Sequence, residues 1–156
     1  MPVPAEWPVP TEQALPADAA RAAVRADLGR ARAALTEAEG AERPGPRYLA
    51  AQLCALRTAA VVLALRGRPR RPSRSAGPRN AWRLLAEVAP ELGEWAVFFD
   101  TTQARRDAVR SGAWVSVREA DDLLRDAATF LGLIERLLAP ALRPAGRTGR
   151  GTGPVS

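Results

Sequence analysis

The stretch 47-RYLAAQLCALRTAAVVLALR-66 sets the architecture of this 156-residue chain. Its clearly polar residues between Tyr48 and Leu65 are Gln52, Arg57 and Thr58. A helix that is apolar on nearly every side is stable in water only when other elements surround it. The stretch therefore predicts a central helix over residues 47–66, packed inside a helical bundle.

Two side chains of this central helix are candidates for chemistry, Cys54 and Arg57. Cys54 is the single cysteine, which excludes an internal disulfide and a thiolate metal cluster. Its apolar surroundings predict a buried, unreactive thiol. The stem of Arg57 is expected to pack while its guanidinium reaches solvent or a neighbouring carboxylate. The functional alternative for Arg57 is a buried ion pair or a place in the wall of a cleft.

Upstream of the central helix, the pattern predicts a helix over residues 16–39. Pro16 suits a first helical turn, and the carboxylate of Asp18 interacts favourably with the helix dipole. One face carries apolar residues at helical spacing: Val24, Leu28, Ala31, Leu35 and Ala38. Gly40 and the Pro44-Gly45-Pro46 run are expected to end this helix before the central one begins.

Downstream, Pro90 separates two predicted helices, a short one over residues 80–89 and a longer one over 91–110. Their large apolar residues are expected to face the core: Trp82, Leu85, Val88, Leu92, Trp95, Phe98 and Phe99. We interpret the aromatic rings as core-filling residues rather than as a platform on which bases stack.

The clearest local signal is a capping box, Ser116-Val117-Arg118-Glu119, directly before an apolar stripe. The stripe contains Ala120, Leu123, Ala127, Phe130 or Leu131, Ile134 and Leu138. It predicts a fifth helix, which Pro140 is expected to end. The predicted fold is an all-α antiparallel bundle of four longer helices and one short helix over residues 15–140. A Pro-rich disordered arm (1–14) and a Gly/Pro/Arg-rich disordered tail (141–156) are expected on either side.

All basic side chains are arginines: the chain has 23 of them, no lysine and no histidine, and a formal net charge of +6. Histidine is the usual general base near neutral pH and the commonest metal ligand. Its absence excludes most hydrolase and metalloenzyme mechanisms, so we expect no catalytic residue, metal or cofactor. The N-terminus lacks a signal-peptide pattern, and no uninterrupted apolar stretch is long enough to span a membrane. These features predict a cytoplasmic protein with no membrane partner.

Charge is unevenly distributed along the chain, because no acidic residue lies between Glu42 and Glu87. Seven arginines cluster at the end of that interval: Arg66, Arg68, Arg70, Arg71, Arg74, Arg79 and Arg83. Such a cluster is typical of a polyanion-binding surface, and guanidinium groups often bind phosphate with two hydrogen bonds. The alternative is a solvated or partner-facing loop, since preference for arginine over lysine is also typical of a GC-rich genome.

Acidic residues share one face of the predicted fifth helix, where Glu119, Asp122 and Asp126 have i, i+3 and i+7 spacing. Such a face could in principle hold a divalent cation. Arg118 and Arg125 are also within pairing distance of Asp122 by helical spacing. We therefore expect a solvated, salt-bridged face rather than a metal site.

The segment from Tyr48 to Leu138 resembles the HEPN superfamily of small helical bundles, and most closely a compact actinobacterial branch of it. The likeness is carried by residues 48–53 (YLAAQL), 79–85 (RNAWRLL), 90–96 (PELGEWA), 98–99 (FF) and 103–108 (QARRDA). The resemblance implies a four-helix bundle, often a homodimer, and frequent involvement with RNA.

The resemblance also implies a possible activity, because many members of the superfamily are metal-independent ribonucleases. Their motif is an arginine followed four to six residues later by a histidine. Arg105 and Arg106 stand where such a motif would begin, but no histidine follows. The resemblance then implies a non-catalytic module that binds RNA, a nucleotide or a protein partner, with Arg105 and Arg106 as further phosphate-binding candidates. Two alternatives remain: a purely structural protein–protein adaptor, and a histidine-free ribonuclease in which Asp107 or Ser111 assists.

Overall fold

Five α-helices and a 3-10 turn follow one another in this computed structural model, which describes residues 18–67 and 80–143. The elements are α1 (Asp18–Gly40), α2 (Pro44–Arg66), α3 (Asn80–Val88), the 3-10 turn (Pro90–Leu92), α4 (Gly93–Arg110) and α5 (Val117–Leu142). Four long helices, one short helix and no strand within these ranges confirm the all-α prediction. The predicted arm (1–14) lies outside the described residues, as do most of the predicted tail and residues 68–79.

Helix α2 is the centre of the bundle, as its composition predicted. It packs mainly against α1 and α5 and also contacts α3 and α4. Cys54, Ala55 and Ala59 are completely buried along it. Among the described helices, α2 alone has the length and hydropathy of a membrane span, with a mean hydropathy of 1.7 over its most apolar window. More than half of that window is buried inside the bundle, which is the packing of a core helix.

Helix α2 begins at Pro44, three residues before the predicted start at Arg47. The Pro-Gly-Pro run forms its first turn because the N–H groups of a first turn have no helical partner, so prolines lose nothing there. The Arg47 guanidinium donates to the carbonyl of Ala41, at 2.7 Å from Nη2, and forms an ion pair with Asp121. These contacts fix the short connection between α1 and α2.

Helix α5 continues through Pro140 to Leu142, so the prediction that Pro140 ends the helix is wrong. A proline lacks only its own N–H and has a φ angle that suits a helix, so a last turn can form beyond it. The carbonyl of Leu142 accepts a hydrogen bond from Arg25 on α1, which satisfies one free acceptor at this helix end. Residues 141 and 142, assigned to the tail from the sequence, belong to this turn.

An aromatic cluster fills the core between α3, α4 and α5. The ring of Phe99 lies 5.1 Å from Trp82, 5.9 Å from Trp95 and 5.3 Å from Phe130, centroid to centroid. Phe99 and Phe130 are completely buried, and Trp82 and Trp95 are nearly so. Phe98 is half-buried at the edge of the cluster. The interpretation of these rings as core-filling residues is confirmed.

Candidate functional site

Arg66 and Arg83 are the first and last members of the predicted arginine cluster, and the structure gives them different environments. Arg66, at the last residue of α2, donates to the carbonyl of Val88 at 3.3 Å and forms an ion pair with Glu91. Its side chain is only 13% exposed. These contacts connect the end of α2 to the 3-10 turn. Arg83 is exposed on α3. The other five candidates of the cluster lie outside the described residues: Arg68, Arg70, Arg71, Arg74 and Arg79.

Arg105 is held by three hydrogen bonds near the C-terminal end of α4. Its Nε donates to Glu119 Oε1 at 2.7 Å, and its Nη2 donates to Glu119 Oε2 at 2.9 Å and to the carbonyl of Trp114 at 2.7 Å. The neighbouring Arg106 is half-buried. The guanidinium of Arg105 therefore joins α4 to the first turn of α5 and to the connection between them.

Arg66 and Arg105 lie at opposite ends of the bundle. The Gln52–Gln103 hydrogen bond places the C-terminal half of α4 beside the N-terminal end of α2, where Tyr48 lies. Eighteen residues separate Tyr48 from Arg66 along α2, which corresponds to about 27 Å at the helical rise. The structure does not bring these two candidate arginines together.

The turn between α4 and α5 is built by the predicted capping box and by one glycine. Ser116 Oγ accepts a hydrogen bond from the backbone N–H of Glu119 at 3.0 Å, as the motif predicted. Gly112 has a φ of +100°, a conformation that side chains other than glycine rarely adopt. The hydrogen bond and charge of Arg105, and to a smaller extent a hydrogen bond from the backbone of Ser116, lower the pKa of Glu119.

A cleft of about 490 Å³ opens next to this turn, between the N-terminal end of α2, the middle of α4 and the first half of α5. Its walls are Tyr48, Phe98, Thr102, Ser116, Arg118, Glu119, Asp122, Leu123 and Asp126. The acidic face predicted on the fifth helix therefore becomes one wall of a cleft whose other wall is aromatic.

Hydrogen bonds among the polar side chains of Gln52, Gln103 and Thr102 lie next to the cleft. Gln52 is completely buried, and its Nε2 donates to Gln103 Oε1 at 3.3 Å. The hydroxyl of Thr102 lies 2.7 Å from Gln52 Oε1 and also 2.7 Å from the carbonyl of Phe99. These contacts position Thr102, a wall residue, relative to α2.

The acidic wall contains one carboxylate that stands apart from the others. Glu119 is paired with Arg105, and Asp122 Oδ1 accepts from Arg125 at 3.0 Å while Arg118 lies 3.9 Å away. Both predicted arginine pairs with Asp122 are confirmed. Asp126 is half-buried, and burial raises its pKa; the charge of Arg125 opposes this shift and the charge of Asp122 adds to it. Within residues 18–67 and 80–143, no three acidic or cysteine side chains are grouped to hold a metal ion.

Tyr48 is the most buried polar residue in the wall, with 3% of its surface exposed. Burial, together with the nearby negative charge of Glu119, raises the pKa of its hydroxyl to about 12. The phenol is therefore protonated at neutral pH. Sequence reasoning placed Tyr48 in an apolar helix and did not connect it with the acidic residues of α5. The available signal was the position of Tyr48 near the start of α2, one helical turn before the polar Gln52.

Arg57 and Cys54 occupy the α1 side of α2 rather than the cleft. Arg57 donates from Nη1 to the backbone carbonyl of Arg30 at 3.1 Å, a partner that the sequence did not indicate. Cys54 is completely buried, and burial raises the pKa of its thiol to about 11, which confirms the expected buried thiol.

Comparison with known protein families found one matching family model, described as SAV_6107-like HEPN, over residues 38–135. The match covers all of α2, α3 and α4 and most of α5. It includes the cleft walls and both Arg105 and Glu119. Comparison with curated proteins and with solved structures found no significant match.

Proposed function

Because the chain belongs to the SAV_6107-like HEPN family, we propose that it is a non-catalytic binding module of the HEPN type. Its ligand is RNA or a nucleotide, and the contact is made by the arginine-rich segment from Arg66 to Arg83. The module acts in the cytoplasm, a setting supported by the burial of its most apolar helix, α2.

The observation that carries this proposal is the separation of charge between the helical body and the arginine-rich segment. The described residues contain 16 arginines and 15 acidic residues, so the body is nearly neutral. Several of those arginines are paired with carboxylates of other helices, including Arg32 with Glu135 and Arg47 with Asp121. Residues 68–79, which lie between the two described ranges, by contrast contain five arginines and no acid. A local excess of positive charge attracts polyanions.

The same structure supports a binder rather than a nuclease. The resemblance places a catalytic arginine at Arg105 or Arg106, with a histidine to follow, and the chain has no histidine. Arg105 already uses its Nε and Nη2 groups on Glu119 and Trp114. A phosphate would have to compete with a carboxylate for these donors. Histidine is the usual proton-transfer partner, so without it we expect a phosphate positioned here to be bound and not cleaved.

The proposal is tested by titrating the full chain into a fluorescein-labelled single-stranded RNA at about 50 and 200 mM salt. We expect binding that weakens steeply with salt, and no shortening of the RNA. Replacing Arg70, Arg71 and Arg74 by glutamine should make the negative slope of log K against log[salt] shallower by about 2, because each lost phosphate contact removes about 0.7 from its magnitude. Absence of binding at the lower salt concentration would refute the RNA proposal.

A matched triple variant controls for net charge. Arg110, Arg136 and Arg143 are exposed on the body, and their replacement by glutamine removes the same number of charges. We expect this variant to keep at least most of the RNA affinity. Equal losses in the two triple variants would show that general charge, and not the arginine-rich segment, holds the RNA.

A second candidate function, contact with another protein chain, is favoured by Trp114. Its side chain is 79% exposed in the turn before α5, next to Val117, which is 58% exposed. Exposed tryptophans dominate many protein interfaces. The bond from Arg105 to the carbonyl of Trp114 holds the backbone there, which lowers the entropy cost of binding.

The partner that we propose for this surface is a second copy of the chain. Sedimentation equilibrium of the full chain should show a dimer that Trp114→Ala weakens and that Leu84→Ala, at a separate exposed leucine on α3, leaves intact. A monomer at all concentrations, or a dimer insensitive to Trp114→Ala, would remove this candidate and leave a hetero-partner adaptor to be sought by co-purification after nuclease treatment.

A further inference from the structure

We propose that the cleft between α2, α4 and α5 is a binding site for a guanidinium group. The residues that would hold it are Asp126, Tyr48 and Phe98. This site is distinct from the arginine-rich segment, and it takes a ligand of the opposite charge.

The hydroxyl of Tyr48 is one feature that points to a ligand in the cleft. The residue is 97% buried as part of the cleft wall, given its 3% exposure, yet its hydroxyl has no hydrogen-bond partner among the described residues. The hydroxyl is not one of the fully buried polar atoms that lack a partner, so it is accessible to a group bound in the cleft. A ligand group in the cleft that donates a hydrogen bond would complete it.

The carboxylate of Asp126 is a second feature that points to a ligand. It lies in the same cleft, is half-buried, and has no ion-pair partner within the part of the chain that the structure describes. The arginines nearest in sequence do not fill the cleft: the side chain of Arg118 is 92% exposed and that of Arg125 is 70% exposed. A half-buried carboxylate without an ion pair has lost part of its hydration, so the approach of a cation is favourable.

The chemistry of the walls selects a guanidinium over other cations. A guanidinium is planar and presents paired N–H groups that match the two oxygens of a carboxylate, here Asp126. Its face stacks on aromatic rings, and here the half-buried ring of Phe98 is the one exposed enough to receive it. An ammonium offers a point charge and no planar face, so it would bind more weakly. A metal ion lacks the three grouped ligands that it needs among the described residues.

Phosphate is disfavoured in this cleft, because Glu119, Asp122 and Asp126 line it. The cleft also lies at the end of α2 opposite to Arg66. Its volume of about 490 Å³ is within the range of ligand sites and exceeds what one guanidinium fills. The proposal therefore succeeds or fails independently of RNA binding.

The test uses N-acetyl-arginine amide, with N-acetyl-citrulline amide as a neutral probe of nearly the same shape and N-acetyl-lysine amide as the ammonium probe. Binding to the full chain is followed by NMR chemical-shift changes of the indole and backbone N–H signals. We expect the arginine probe to bind, the lysine probe to bind more weakly and the citrulline probe not to bind. Equal binding of the arginine and citrulline probes, or no binding of the arginine probe, would overturn the proposal.

Two variants locate the site. Asp126→Asn should weaken the arginine probe by about tenfold to a hundredfold, the usual range for losing a charged hydrogen-bond partner. Tyr48→Phe removes the hydroxyl and keeps the ring, and since the hydroxyl has no partner among the described residues, the melting temperature should not fall. The affinity of the Tyr48→Phe variant for the arginine probe should fall by a smaller factor than that of Asp126→Asn. Glu37→Gln, an exposed acid on α1 outside the cleft, is the control for loss of one negative charge.

The source of the guanidinium is distinguished by two further probes. A blocked glycine pentapeptide with one central arginine represents a partner protein, and agmatine represents a free small molecule. Tighter binding of the peptide than of N-acetyl-arginine amide would support a protein source, and tighter binding of agmatine would support a small molecule. If neither Asp126→Asn nor Tyr48→Phe changes the affinity for the arginine probe while both variants stay folded, the site is elsewhere and the proposal is wrong.

Discussion

The guanidinium of Arg105 binds both carboxylate oxygens of Glu119, with Nε 2.7 Å from Oε1 and Nη2 2.9 Å from Oε2. This two-point geometry is the strongest form of an arginine–carboxylate contact. It connects the end of α4 to the first turn of α5 across a tight turn. The arginine at which the family resemblance would place nuclease chemistry is thereby part of the framework of the cleft.

Glu119→Gln is expected to lower the melting temperature at neutral pH and to have little effect in acid. Arg105 holds the pKa of Glu119 below its ordinary value, so the pair contributes stability above the unfolded pKa of about 4.5. That contribution is lost as the pH falls through the folded pKa. Thermal unfolding from pH 7 down to pH 2 measures the difference. A gap between the variant and the parent that stays constant over this range would contradict the pairing.

The adjacent arginine supplies a matched control for this contact. Arg105→Ala should destabilise the protein and free the turn at Trp114, whereas Arg106→Ala, one residue along, leaves the Glu119 pair intact. The fluorescence of the exposed Trp114 should therefore change in the first variant only. Equal behaviour of the two variants would show that Arg105 has no special role in the turn.

Asp126→Asn is expected to raise the melting temperature at neutral pH. The pKa of Asp126 is raised by burial and by Asp122, so ionisation costs stability at every pH above its ordinary value of 3.8. An asparagine stays neutral and avoids that cost. The parent and the variant should converge below that pH, where the carboxyl group is protonated in both the folded and the unfolded protein. A variant that melts lower at pH 7 would contradict the assignment of Asp126 as an uncompensated carboxylate.

The helical architecture was predictable because each long helix carries its own signal, such as the capping box at Ser116 and the apolar stripe after it. Errors arose at prolines. Pro44 and Pro140 were interpreted as breaks, although a proline fits the first turn of a helix and permits one further turn after it.

The cleft was not predictable, because its walls come from residues far apart in the sequence. The i, i+3, i+7 spacing located Glu119, Asp122 and Asp126 on one face of α5, and helical geometry alone suffices for that. Which helices cover that face depends on packing between α2, α4 and α5. Likewise, the pairing of Arg105 with Glu119 spans 14 residues and a turn, so no local rule indicates it.

Phe99→Ala is expected to cost about 3–5 kcal/mol of the free energy of unfolding, the usual range for removing a buried aromatic ring. Phe99 touches Trp82, Trp95 and Phe130, and a cavity at this point would loosen α3, α4 and α5 together. Urea unfolding followed by tryptophan fluorescence gives the value. Val97→Ala on the same helix, at a residue 65% exposed, should change it by less than about 0.5 kcal/mol. Similar costs at the two positions would contradict the packing.

Cys54 is expected to resist alkylation by iodoacetamide in the folded protein. The thiol is completely buried, and burial raises its pKa to about 11, so the reactive thiolate is scarce at pH 8. Modification should follow unfolding, and mass spectrometry with and without urea measures it. A Thr129→Cys variant, at an exposed position on α5, is the reactive control. Equal labelling rates at the two positions would show that α2 is accessible in the folded state.

The buried Gln52–Gln103 pair is expected to show strong energetic coupling. In Gln103→Leu, the Nε2 group of Gln52 loses its acceptor, which should cost about 1–3 kcal/mol. Gln52→Leu leaves Gln103 equally unpaired, whereas the Thr102 hydroxyl can still donate to the carbonyl of Phe99. The double variant removes both partners, so its cost should be smaller than the sum of the single costs by about 0.5–3 kcal/mol. Urea unfolding of the four proteins measures this coupling. Additive single costs would mean that the two amides do not depend on each other.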